Sequence, residues 1–107
     1  MISNISSLIE YDNLLTENKP IIIYFYAEWS GISILTLPKL EALSLQYKDV
    51  IFKTVNVDDA EDFITYMDVE NVPTTIFINK RGDLITKLEE NDETRLEKKI
   101  KIFCKAI

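Results

Sequence analysis

Residues 21–27 read Ile-Ile-Ile-Tyr-Phe-Tyr-Ala, apolar or aromatic at every position and without alternation. A strand wetted on one face alternates, whereas a strand covered on both faces does not. The run is also far short of the roughly 20 apolar residues that a membrane helix needs. It predicts a central strand in a sheet with helices on both sides.

The rest of the chain supplies those layers. Ile2, Asn4 and Ile5 fit a short edge strand. Ser7 and Glu10 form a capping box for a helix to Thr16, with Leu8, Tyr11, Leu14 and Leu15 on one face. A helix over 33–47 follows the central strand, with Leu40, Leu43 and Tyr47 at helical spacing and Pro38 inside it. Residues 51–57 read as a second buried strand, and Asp58 or Asp59 is positioned to cap a short helix to Met67. Strands over 74–78 and 84–88 flank a turn at Lys80-Arg81-Gly82-Asp83. Asp92 then caps a closing helix with a Leu96, Ile100, Phe103, Ile107 stripe. The expected architecture is α/β, a mixed sheet of about five strands flanked by about four helices.

At 107 residues the chain is long enough for one domain, 1–107, and not two. Its net charge of −6 disfavours nucleic acid and anionic membranes as partners. There is no histidine, which removes the usual general base, histidine-based triads and histidine metal sites. Cys104 is the sole cysteine, so neither an internal disulfide nor a cysteine zinc cluster can form. Its place beside Phe103, on the flank of the last helical stripe, favours a packing role. No cofactor or metal is expected. No Lys or Arg precedes Lys19 and residues 1–20 hold no long apolar run, so no signal peptide is read. A cytoplasmic monomer is the expectation.

The strand at 21–27 leads directly into Glu28-Trp29-Ser30-Gly31-Ile32-Ser33. This segment resembles the active-site loop of the thioredoxin family, with serine at both cysteine positions. The likeness extends over essentially the whole chain. Pro38, five residues after Ser33, matches the helix proline of that family. Asn56-Val57-Asp58 matches its strand-ending motif, and Val72-Pro73-Thr74 matches its cis-proline loop facing the active site. Gly82 fits its hairpin turn, with one extra residue before it. The resemblance implies a thioredoxin fold and, with cysteines in place, a protein disulfide reductase of cell redox homeostasis.

The departures all touch the chemistry. Ser30 and Ser33 stand for the nucleophilic and resolving cysteines, and a serine hydroxyl stays protonated where a thiol ionises. No histidine is present to activate either. Without that role, the two serines read as a loop hydroxyl and a helix cap. Tyr24 stands where the family has a buried aspartate, and Thr54 where it has the aspartate's lysine partner. Lys53, one residue away, points to the opposite face of its strand. Glu89 and Glu90 stand where the family has a groove glycine. Ile32 and Ile34 replace its proline and lysine, making the rim more apolar.

The binding half of the site is what remains. Trp29, Gly31, Ile32, Val72, Pro73 and Thr74 would form a groove, where the Val72 backbone could pair with an extended peptide. Three functions stay open. One is a redox-inactive thioredoxin-like protein that binds a partner protein or extended peptide there. The alternative is a thiol-disulfide oxidoreductase carrying a double Cys→Ser exchange, and the third is a structural domain of a larger assembly. An exchange made to silence an enzyme would leave positions 24, 54 and 89 as the family has them, which favours the first.

Overall fold

The computed structural model describes residues 2–89 and 93–106. Its elements are α1 (Leu8–Leu15), β1 (Ile21–Tyr26), α2 (Gly31–Gln46), β2 (Ile51–Asn56), a 3-10 turn (Val57–Asp59), α3 (Glu61–Met67), β3 (Thr74–Ile78), β4 (Leu84–Leu88) and α4 (Glu93–Lys105). The sheet runs β2-β1-β3-β4. β1 pairs parallel with β2 and antiparallel with β3, and β3 pairs antiparallel with β4. The non-alternating run is therefore central, and β1 is buried from Ile21 to Phe25.

Alternate residues of the sheet feed two cores. Ile21, Ile23, Phe25, Val55, Ile76 and Ile78 pack with Tyr11 and Leu14 of α1 and Phe63 of α3. Ile22, Tyr24, Phe52 and Phe77 pack with Leu40 and Leu43 of α2 and Leu96, Ile100 and Phe103 of α4. Each fully buried aliphatic or phenylalanine side chain contributes about 1.5–3 kcal/mol. These two layers fix the height at which α2 starts, and with it the loop at Ser30.

The sheet has four strands among the described residues, not about five. The segment expected as a fifth makes a single parallel bridge, Asn4 to Thr54. Thr54 N donates to Ser3 O at 3.2 Å and Ile5 N to Thr54 O at 2.9 Å. Pairing then stops because Ser6 and Ser7 turn the chain into α1. Ser7 Oγ caps the Glu10 amide at 3.2 Å, and the Glu10 carboxylate reaches back to the Ser6 amide at 3.0 Å.

Two capping expectations also change. Asp58 and Asp59 lie in the 3-10 turn, and α3 starts from Ala60 with no side-chain cap. Ala60 is 2% exposed, so burial against the core sets this helix start. The expected Asp92 cap and the Glu90 position lie outside the described residues. α2 runs through Pro38 and starts two residues earlier than expected, at Gly31, because Ser30 caps it. The hairpin turn closes as Asn79 Oδ1 accepts from Arg81 N and Asp83 N, with Gly82 at φ +90°.

Candidate functional site: the loop between β1 and α2

β1 delivers the chain to Ser30, which caps α2. Ser30 Oγ accepts from the Ser33 amide at 3.4 Å, and the Ser33 hydroxyl donates to Ser30 Oγ at 2.9 Å. Ser33 is fully buried and Ser30 partly exposed. The two side chains thus face each other and satisfy each other. Neither contacts a carboxylate or a cation, so nothing here pulls a proton from oxygen.

Beneath them, Tyr24 donates its phenol to the Ser33 carbonyl at 2.8 Å. The side chain is 1% exposed. Burial pushes the phenol up to about 12, against a smaller opposing pull from the Thr36 hydroxyl. Tyr24 therefore stays neutral at ordinary pH and holds no exchangeable charge under the loop. Its register partner on β2 is Thr54. Thr54 donates to the Asn4 side-chain oxygen, and Asn4 Nδ2 donates to the Tyr26 hydroxyl at 3.1 Å. Lys53 lies on the other face, where its ammonium reaches Ser3 Oγ at 2.7 Å. The place beneath the loop is filled by a neutral hydrogen-bond network.

Trp29 is 70% exposed, and its indole N–H donates to Asp58 Oδ2 at 3.1 Å. Asp58 is held in turn through its amide, which donates to Asn56 Oδ1 at 3.1 Å. The Asn-Val-Asp motif therefore anchors the tryptophan, a role that spacing along the chain does not reveal. Across from it the Val72–Pro73 peptide bond is cis. A cleft of about 300 Å³ lies between Trp29, Val57, Ile64, Val69 and Val72. Lys87 of β4 donates to the Met67 and Asp68 carbonyls at 3.3 and 2.6 Å, tying down the end of α3 that supplies the far wall.

The expected groove residues separate into two groups. Trp29 and Val72 share the cleft, while Ile32 is exposed but is not one of its walls. Gly31 opens into free space, with no atom within 4 Å of a β-carbon placed there. Pro73 and Thr74 are buried, and Thr74 donates to the Asn71 carbonyl at 2.6 Å, so they shape the loop without offering surface. Glu89 accepts from Asn71 Nδ2 at 3.2 Å, which places its carboxylate against the same loop. Among the described residues no cluster of three or more acidic or cysteine side chains is placed to hold a metal ion. Cys104 is half-buried in α4 and its thiol is pushed up by burial.

Comparison with known proteins places this geometry. The thioredoxin family model matches residues 4–102. The chain belongs to the thioredoxin family. Among its relatives, mitochondrial thioredoxin-3 of Saccharomyces cerevisiae is 36% identical over 100 residues, covering 94% of this chain and 78% of that protein. Thioredoxin-1 of Caenorhabditis elegans is 38% identical over 93 residues, covering 85% and 80%. The crystal structure of the yeast thioredoxin, in its oxidised form, superposes with a TM-score of 0.86 over 94% of both chains. A cysteine-to-serine mutant of Entamoeba histolytica thioredoxin, 29% identical, superposes at 0.86 over 95% of this chain and 99% of that one. The fold is the thioredoxin fold.

Proposed function

We propose that this thioredoxin-family protein works without a dithiol and binds an extended partner polypeptide at the cleft between Trp29 and Val72. The observation that carries the reading is the serine pair over a neutral Tyr24. Thiol exchange needs a thiolate that attacks sulfur and a group that manages the second thiol's proton. Two hydroxyls bonded to each other above a phenol of pKa about 12 offer neither. Loss reaches beyond the two cysteine positions, into the strand below.

The binding half is supported by different features. Trp29 stands exposed at one wall. Val72 stands at the other, and no hydrogen bond to its amide or carbonyl occurs among the described residues. An extended peptide could pair with that backbone as an added strand while one side chain enters the cleft. Glu70 and Glu89 beside the loop favour a partner without acidic residues there.

The relatives favour a second reading, a disulfide oxidoreductase in which both cysteines have been exchanged for serine. The similar proteins are thioredoxins, and one is solved in an oxidised form. One experiment separates the two. A Ser30→Cys/Ser33→Cys variant is assayed for disulfide reduction beside yeast thioredoxin-3. We expect a folded protein at least about tenfold slower, a loss of about 1.4 kcal/mol or more in transition-state stabilisation. Turnover at the yeast rate would instead establish the exchanged oxidoreductase. Binding is read separately, since Trp29 is the sole tryptophan and its fluorescence reports the cleft.

A further inference from the structure

Positive charge on this acidic chain is gathered on α4. The helix holds Arg95, Lys98, Lys99, Lys101 and Lys105, against two carboxylates, Glu93 and Glu97. Every other described helix or strand has one cation at most. Two of the five have an evident local reason. Lys101 meets Glu97 at 3.0 Å, on the flank where Glu97 also meets Lys39 of α2 at 3.1 Å. Lys105 stands in the last turn, where a cation answers the helix dipole. Neither reason covers Lys98 and Lys99, which stand mid-helix and form no ion pair among the described residues.

These two lysines share a cleft of about 310 Å³ with Arg95, Ile102 and Leu88 of β4. Positions 95, 98, 99 and 102 recur at three- and four-residue spacing, so they form one face of α4, a different one from the Glu97–Lys101 flank. The floor of the cleft is apolar. Leu88 packs against the core, and Ile102 is 57% exposed. Among the described residues no carboxylate lines the cleft. Glu89, next after Leu88, is directed to Asn71 at 3.2 Å instead. β4 is an edge of the sheet, paired with β3 alone, and its outer backbone groups have no backbone partner among the described residues. Cations, an apolar floor and an open strand edge therefore adjoin at Leu88.

We propose that this cleft and the adjoining β4 edge dock an extended acidic segment of a partner polypeptide. One apolar side chain of the segment rests on Leu88 and Ile102, and its carboxylates meet Lys98 and Lys99. The occupant is a polypeptide because an apolar floor and a strand edge recognise a side chain and a backbone, and neither serves a bare anion. In an extended segment, side chains two positions apart share a face, so a carboxylate can lie on either side of the apolar residue. A nucleic acid is the weaker fit, since the chain's net charge of −6 repels a long polyanion. The site shares no wall with the Trp29–Val72 cleft and does not rest on it.

The probe is a synthetic peptide with a central leucine, glutamates two residues to either side and threonines between, carrying a fluorophore for anisotropy. One twin has lysine for glutamate and another has serine for leucine. We expect the glutamate-leucine peptide to bind the full chain with a Kd below about 1 mM, and both twins to bind at least about threefold more weakly. Lys98→Gln/Lys99→Gln should weaken it about tenfold and reduce its salt dependence. Ile102→Ser should weaken it about threefold, and Trp29→Ala should leave it unchanged. Absent binding, a twin that binds as well, or a glutamine variant that binds like the parent would overturn the proposal. So would a loss of binding in Trp29→Ala, which would move the peptide to the other cleft. A single-stranded oligonucleotide that binds more tightly at the same salt would assign the cations to nucleic acid instead. Sedimentation showing a dimer that Lys98→Gln/Lys99→Gln dissociates would assign them to a second copy of the chain.

Discussion

Tyr24 of the central strand donates its phenol to the backbone carbonyl of Ser33 at 2.8 Å, joining the sheet to the first turn of α2 from below. The bond takes the space under the loop with a neutral group and spares a buried hydroxyl the cost of going unpaired. Thr54, its register partner, turns instead to Asn4. The base of the site is thus knitted to the N-terminal segment and away from the two serines.

Burial of that phenol predicts an alkaline weakness. The folded phenol titrates near about 12, against 10.0 for the free group. Between those values the unfolded chain has lost the proton and the folded chain keeps it. The stability this provides is complete below pH 10 and falls as pH rises from 10 to 12. Tyr11, also raised by burial, adds to the slope. Tyr24→Phe should lower stability at pH 7 by about 1 kcal/mol and flatten the alkaline decline to what Tyr11, Cys104 and Lys101 supply. Urea unfolding at neutral and alkaline pH checks it; an unchanged slope in the phenylalanine variant rules it out.

The serine pair predicts unequal costs for its two members. Ser30→Ala removes the α2 cap and leaves the buried Ser33 hydroxyl without its acceptor. A loss of about 1–2 kcal/mol follows. Ser33→Ala removes a donor whose acceptor is partly wetted and leaves the cap in place, so about 0.5 kcal/mol or less is expected. Denaturant midpoints of the two variants decide this, and equal losses would refute the capping account.

Much of this architecture is legible in the chain because strong local rules agree. The non-alternating run at 21–27 places the central strand, and the Ser7–Glu10 pair places the start of α1. The failures have local causes too. Ile2, Asn4 and Ile5 look like strand residues, yet the capping serines that follow cut their pairing to one bridge. Asp58 looks like a helix cap but spends its carboxylate on Trp29, a partner 29 positions away. The exposed apolar residues of α2 escape detection because a helix with apolar residues on more than one face does not say which of them turn inward. Only the position of the sheet beneath Leu40 and Leu43 decides that.

The Trp29–Asp58 contact predicts a fluorescence change without a large stability change. Asp58→Ala frees the indole, which is already mostly exposed. Steady-state anisotropy of the single tryptophan should fall, while unfolding shifts by less than about 1 kcal/mol. Peptide binding at the adjoining cleft should weaken with it, since the wall is no longer fixed. An anisotropy equal to the parent's would mean that packing, and not Asp58, holds the ring.

Cys104 supplies the last prediction. It is the one thiol in the chain, so any thiol reaction must start there. The thiolate is the reactive form, and burial pushes this thiol above its ordinary range. Alkylation at neutral pH should therefore run slower than for free cysteine, and recover the free rate in denaturing urea. Cys104→Ser should leave peptide binding at Trp29 unchanged, because α4 packs against the opposite end of the sheet's α2 face through Phe77 and Phe103. Rapid labelling of the native chain would show that α4 opens locally to expose the thiol, and would make Cys104 the source of any disulfide exchange the protein displays.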